Sequence, residues 1–294
     1  MGTLGIDIGG TKVVLRTEDG AGPAHERTFR WPRTRDAVAD CALLAAGVRD
    51  AAGHADIEAV GVAMPATLDP AGRVVAWPSR AHWAGLEFVP FLRGLLPSAD
   101  VRCADDGDLA ALAEADAAGA ESLLYLGVGT GIGGGLVRDG HPLPGIGRGS
   151  CEVGHVVVDR AGPRCVCGRR GCVQAVASGP ATLARASALR GAAVGADRLR
   201  EEWRSGTSWA RAVVEESCAA LAAAVTTVTE LFRPSLVRIG GGFAAGLPGF
   251  VTGVADGVSA LARAGQGAVP VEPAEFGPLS SLRGATLLAG AEAR

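Results

Sequence analysis

The sequence predicts an α/β protein built from two similar domains. Three observations carry that expectation. The chain has 294 residues, enough for two compact domains with cores of their own. Short apolar stretches alternate along it with longer stretches of helical spacing. One element also occurs twice. Leu4-Gly-Ile-Asp-Ile-Gly-Gly-Thr-Lys12 and Leu124-Tyr-Leu-Gly-Val-Gly-Thr-Gly131 are both apolar strands running into a turn of small residues, repeated at a period too long for a solenoid.

Residues 3–8 form the first strand, and Lys12 to Thr17 return antiparallel after the turn Gly9-Gly10-Thr11. Residues 25–31 add a third strand. Val38, Leu43, Leu44 and Val48 give residues 34–53 a helical stripe. Ile57 to Ala63 reads as a buried strand that Pro65 ends. Val74 to Trp77 precede a loop carrying Ser79. Asp100 to Cys103 is a short strand, and Asp106 to Ala118 a helix with an acidic first turn. The pattern then repeats: strand Leu123 to Val128, turn Gly129-Thr130-Gly131, strand Ile132 to Arg138. Helices follow at 179–190, 197–204 and 207–232. A strand from Ser235 to Ile239 ends in Gly240-Gly241-Gly242. A helix at 247–263, a strand from Val269 to Val271 and a last helix at 281–293 complete the chain. The expected domains are residues 1–117, with a C-terminal helix at 281–294 packed back on them, and residues 118–280.

Glycine-rich turns let backbone N–H groups converge on anionic oxygen, and a threonine hydroxyl adds a donor. Gly9, Gly10, Thr11 and Lys12 form one such turn; Gly129, Thr130 and Gly131 form another. Each alone is a common hairpin. Together, with Gly240, Gly241 and Gly242 after a third strand, they point to a polyphosphate held from two sides. Asp7, at the end of the first strand, is placed to meet a water of a Mg2+ shell. Gly129-Thr-Gly131-Ile-Gly-Gly134 matches the dinucleotide pattern, but a strand follows it where a helix is needed. No G-x-x-x-x-G-K-[ST] loop occurs.

One histidine and three cysteines, His155, Cys165, Cys167 and Cys172, fall within 18 residues. A Cys-x-Cys pair on a glycine turn, a third cysteine five residues on and a nearby imidazole suit tetrahedral ligation of Zn2+. Disulfide bonding or plain burial is the alternative, but a Cys-x-Cys pair can hardly bridge to itself. Four protein ligands would close the shell, so the expected zinc is structural. Glu152, three residues before His155, stands where a group touching substrate could sit.

Hydrophobic residues make up 48% of the chain and aromatic ones only 4%, so the cores must be Ala, Val and Leu. A net charge of −3 offers no strongly basic face, and nucleic acid is not an expected partner. Met1-Gly-Thr-Leu-Gly-Ile-Asp7 lacks the basic region and apolar core of a secretion signal. No uncharged apolar run approaches a membrane span, and the seven cysteines suggest no disulfide framework. A reducing cytoplasm and no membrane contact are expected. Lys12 is the only lysine, which singles it out inside its glycine turn.

At this point the motifs resemble a known family. Asp7-Ile-Gly-Gly-Thr-Lys12 is similar to the first phosphate motif of actin-like sugar kinases. With Gly127 to Gly135, Glu152-Val-Gly-His155, the Cys165–Cys172 cluster, Ala177-Ser-Gly-Pro and Ile239-Gly-Gly-Gly242, it resembles the ROK family of repressors and sugar kinases in order along nearly the whole chain. The resemblance implies a two-lobed actin-like (ribonuclease H-like) ATPase fold with an interdomain cleft that closes on its substrates. It implies ATP as phosphoryl donor, with polyphosphate as an alternative, and Mg2+, a structural Zn2+ and a homodimer. Asp106 would be the general base toward the 6-hydroxyl of a hexose. Glu152 and His155 would bind sugar hydroxyls, His155 ligating zinc through its other ring nitrogen. Ser79 falls where the family often places a polar sugar contact. A repressor would carry a DNA-binding segment before the first phosphate motif, here at residue 7. A catalytically dead sensor would be expected to lack Asp106.

Two positions depart from the family. Its Asn before the catalytic Asp is Asp105 here, and its Glu two residues after the last cysteine is Gln174. Both would normally touch the sugar ring. An ionised carboxylate only accepts hydrogen bonds, and beside Asp106 it is costly without a cation. A substrate ammonium would supply that cation. The expected substrate is therefore an amino sugar, most simply 3-amino-3-deoxyglucose (kanosamine); a glucokinase of broad specificity is the alternative.

Overall fold

The computed structural model describes residues 2–19, 23–53, 55–147 and 149–291. Residues 292–294 of the expected last helix lie outside the described residues. The backbone forms two compact units: Met1–Ala113 with Pro144–Ser150 and Leu279–Arg294, and Glu114–Leu143 with Cys151–Pro278.

Unit one contains β1 (Gly2–Ile8), β2 (Lys12–Glu18), β3 (His25–Arg30), α1 (Ala37–Ala52), β4 (Ile57–Ala63), β5 (Thr67–Leu68), β6 (Val74–Ala76), α2 (Phe88–Leu95), β7 (Asp100–Ala104) and the start of α3 (Asp106–Ala118). Its sheet runs β3-β2-β1-β4-β7, antiparallel across the first three strands and parallel across the last three. Leu4, Ile6 and Ile8 on β1 join Leu44, Val48, Val60, Val62 and Leu92 in one apolar core. The other face of β1 and β4 is shaped by glycines. A Cβ on Gly61 would stand 1.9 Å from the carbonyl oxygen of Ala285, and one on Gly5 2.5 Å from Thr286 Oγ1. That seat takes the last helix of the chain, which therefore belongs to unit one.

Unit two contains β8 (Ser122–Val128), β9 (Ile132–Arg138), β10 (His141–Leu143), α4 (Val173–Ala177), α5 (Gly179–Arg190), α6 (Ala196–Arg204), α7 (Ser208–Phe232), β11 (Leu236–Gly240), α8 (Gly242–Ala245), α9 (Phe250–Ala260) and β12 (Val271–Pro273). The last helix, α10 (Ser280–Gly290), follows it in sequence. The sheet order is β10-β9-β8-β11-β12, with the same strand directions as in unit one. The duplicated strand–turn element is thus the start of a duplicated sheet. α7 has 25 residues and is, by length and composition, apolar enough to cross a membrane, which the sequence reading did not foresee. Its buried face, including Val213, Leu221, Ala224 and Val225, instead forms the centre of the unit-two core.

Several boundaries differ from expectation. α1 begins at Ala37 rather than residue 34, because the Asp36 carboxylate accepts the Val38 N–H at 2.9 Å and caps the helix. The helix expected at 247–263 is α9, preceded by Gly249 at φ 80° and the short α8. β12 lies two residues later than expected, paired with Val237–Ile239. α2 was missed, since Pro90 and Gly94 mask a helix that Phe88, Val89 and Leu92 hold by burial.

Candidate active site and cysteine–histidine cluster

β1 delivers Asp7 to the edge of the first glycine turn. Burial raises its carboxyl to about 6, and the Lys12 charge only partly offsets this. The turn closes with the Gly9 N–H donating to the Lys12 carbonyl at 3.0 Å, leaving Gly10, Thr11 and Lys12 exposed. Ser79 lies on a 3-10 turn, Pro78–Trp83, against this same loop: a Cβ on Gly10 would meet Ser79 Oγ at 2.9 Å. Ser79 thus stands beside the first glycine turn.

At the β7–α3 junction the acidic run divides its labour. Asp105 is the cap of α3. Its carbonyl accepts from the Leu109 N–H and its Oδ1 from the Gly107 N–H, each at 3.0 Å. Asp106 occupies the first helical position. Its carboxyl rises from an ordinary value of 3.8 to about 6, first by burial and then by the like charge of Asp7. The N–H groups of Gly107 and Asp106 itself pull the other way, as a helix N-terminus should, but burial wins. The Asp7 charge thus adds to the burial of Asp106, a repulsion that a divalent cation would relieve.

In unit two the second turn is held from below. Gly129 donates to the Gly131 carbonyl at 2.9 Å, and Gly179, at the start of α5, donates to the Gly129 carbonyl at 2.9 Å. Gln174 on α4 accepts the Ile132 N–H through Oε1 at 2.9 Å. The third glycine run joins this group. Gly241 has φ 92°, and a Cβ there would come within 2.4 Å of the Val128 carbonyl. The Phe243 ring and the Gly129 carbonyl both abut Gly179. Gly129–Gly131 and Gly240–Gly242 are thus neighbours. Ser178 and Gly179 were noted in sequence only as a motif; their hydrogen bonds give them a part in the site.

His155, Cys165, Cys167 and Cys172 bring their ligand atoms within 4.8 Å of one another. Cys167 Sγ and Cys172 Sγ are 3.6 Å apart, and His155 Nδ1 lies 3.6 Å from Cys165 Sγ. A disulfide needs about 2.05 Å between sulfurs. A tetrahedral zinc thiolate site puts them about 3.8 Å apart. The three cysteines and one histidine of the cluster therefore fit a zinc shell. The Arg169 backbone N–H lowers the Cys167 thiol, while burial first and the neighbouring Cys167 and Cys165 next push the Cys172 thiol up to about 12, a cost that a bound cation would offset. His155 turns Nε2 toward Glu152, with Oε2 at 3.8 Å. Its two nitrogens are thus divided between the cluster and Glu152. Cys172 caps α4, two residues before Gln174, so the cluster, α4 and the second turn form one continuous assembly.

The ROK family profile matches residues 3–292. The chain is 56% identical over 296 aligned positions to a kanosamine kinase of Amycolatopsis mediterranei, covering 99% of this chain and 97% of that one. Among solved structures, it superposes on a ROK hexokinase from Thermus thermophilus with a TM-score of 0.87 and 29% identity, covering 99% and 98% of the two chains. A ROK glucokinase from Streptomyces griseus, in complex with glucose and AMPPNP, matches with a TM-score of 0.80 and 25% identity over 99% of each chain.

Proposed function

Since the chain belongs to the ROK family, we propose that it is an ATP- and Mg2+-dependent amino-sugar 6-kinase whose preferred substrate is kanosamine, 3-amino-3-deoxyglucose. The observation that carries this reading is the full-length likeness to a kanosamine kinase. Asp106 is the base. As the 6-oxygen forms its bond to the γ-phosphorus, its proton passes to the Asp106 carboxylate and the bond to the β-bridging oxygen breaks, releasing ADP. The raised carboxyl of Asp106 supports this role, because a base near 6 is ionised at neutral pH yet accepts a proton readily. Gly9–Lys12, Gly129–Gly131 and Gly240–Gly242 are the proposed phosphate-holding turns. Asp7 would meet the hydration shell of Mg2+, which neutralises phosphate charge when bound.

Asp105, Glu152, His155 and Gln174 are the proposed sugar contacts, with Ser79 placed closer to the phosphates. Asp105 carries the amino-sugar preference: a substrate ammonium on its carboxylate gives a charge-assisted hydrogen bond of about 1.5–3 kcal/mol, a preference of about ten- to a hundredfold over glucose. His155, Cys165, Cys167 and Cys172 would hold one Zn2+, which supplies a closed structural staple and no step of the reaction. A homodimer is proposed from the family, checked by light scattering.

The test compares kcat/KM for glucose, glucosamine and kanosamine in wild type and Asp105→Asn, with ATP and polyphosphate as donors. Asparagine retains helix capping, so the fold is kept. Kanosamine should lead in wild type and lose its lead in the variant. Equal use of all three sugars by wild type would make the enzyme a broad hexokinase instead.

A further inference from the structure

Aromatic residues are scarce in this chain, yet three of its five tryptophans meet at one place in unit one. Trp83 packs edge-on against Trp31 and Trp77, with centroids 5.5 and 4.9 Å away. Inside this cluster lies a buried ion pair. Asp40, on α1, is fully buried and Arg80 is 5% exposed. Asp40 Oδ2 accepts from Arg80 Nη1 at 2.6 Å, from Trp83 Nε1 at 2.9 Å and from His82 Nε2 at 2.8 Å. A carboxylate can only accept, so His82 Nε2 carries its proton, and the 3.3 Å approach of Arg80 to that nitrogen is not a hydrogen bond.

A buried ion pair is weak evidence for stability, because desolvation offsets much of the attraction. What this one touches is more telling. The Arg80 guanidinium lies over the Trp31 ring, 4.4 Å from its centroid. Trp31 in turn grips the first glycine turn at two points. Its indole N–H donates to the Gly9 carbonyl at 2.8 Å and its backbone N–H to the Thr11 carbonyl at 3.1 Å. Ser79, next to Arg80, presses on Gly10 between them. The turn is otherwise closed by one backbone hydrogen bond and built from residues with little conformational preference of their own.

We infer that Asp40, Arg80 and Trp31 are positioning residues for the nucleotide: the buried pair fixes the indole, and the indole fixes the carbonyls of Gly9 and Thr11 so that the turn's N–H groups are held ready for phosphate. This rests on the phosphate-holding role proposed for residues 9–12. It assigns a task to Asp40 and Arg80 that neither the motifs nor the proposed chemistry require.

The test uses Trp31→Phe, which keeps an aromatic face for Arg80 and deletes only the indole donor, and Arg80→Lys, which keeps the charge and loses the planar stack. One hydrogen bond corresponds to about a threefold to tenfold change. Each variant should raise KM for ATP and the directly titrated Kd for ATP by that factor, while KM for the sugar stays at the wild-type value and the melting temperature falls by only a few degrees. Unchanged ATP affinity in both variants overturns the inference. So does a parallel rise in sugar and nucleotide KM, which marks general loosening. Should wild type phosphorylate no sugar, the functional reading fails, and the ATP titration alone still decides the role of Trp31.

Discussion

At the scale of single residues, Asp106 carries two opposed demands. Its folded-state carboxyl stands at about 6 against 3.8. Between those values the folded chain holds a proton that the unfolded chain has released, so stability falls as pH rises through that window. Above it, the ionised group costs about 2–3 kcal/mol. Asp106→Asn should therefore lower kcat by about 10²–10⁴-fold while raising the melting temperature at pH 8 by a few degrees. The thermal gain should shrink as pH falls and be lost well below the ordinary value of 3.8, where the carboxyl is protonated in both the folded and the unfolded chain. An Asn variant with wild-type kcat contradicts the assignment. In wild type, kcat/KM should drop on the acid side near pH 6, and Asp7→Asn should move that limb lower by removing the like charge. The motif placed Asp106 in sequence, but its pKa was not legible there, because burial by distant residues sets it. Asp105 shows the converse: capping and substrate contact predict the same residue type, and only the Gly107 hydrogen bond separates out the capping part.

At the scale of elements, the strands and turns were legible because each is bounded by glycine or proline and reads as a short apolar run. α2, β5, β6 and β10 were not, being short pieces whose shape comes from neighbours rather than propensity. Nor did spacing reveal that α4 ties the cysteine cluster to the second glycine turn through Gln174. That tie has a consequence for zinc. Cys167→Ala or prolonged chelation should raise KM for the sugar, through Glu152 and His155, and also KM for ATP, through α4. Gln174→Ala, besides losing its proposed sugar contact, should raise KM for ATP about threefold to tenfold in zinc-replete protein. A chelated protein impaired toward sugar alone would show that the tie is not transmitted. Metal analysis of unchelated protein should find one zinc per chain; its absence would refute the ligand assignment. Gly241→Ala should be severe for a different reason, since its Cβ would press on the Val128 carbonyl at 2.4 Å from a positive φ. Such a variant should lose soluble yield.

At the scale of the whole molecule, the duplicated sheet was the most legible feature, since two copies of one strand–turn signal reinforce each other. The discontinuity of unit one was harder to read. Its sheet is complete by Ala104, yet α10, which covers β1 and β4, comes only after Leu279. Gly61 leaves no space between sheet and helix, so nothing else can substitute for α10 there. During synthesis at about 5–20 residues per second, unit one therefore stays unfinished for tens of seconds, while the apolar seat around Gly5 and Gly61 remains uncovered. Unit two, which is complete by Pro278, can mature first. The nascent N-terminal sheet is therefore expected to need chaperone cover, and ribosome stalling late in the message to be more damaging than its distance from Asp7 and Asp106 would suggest.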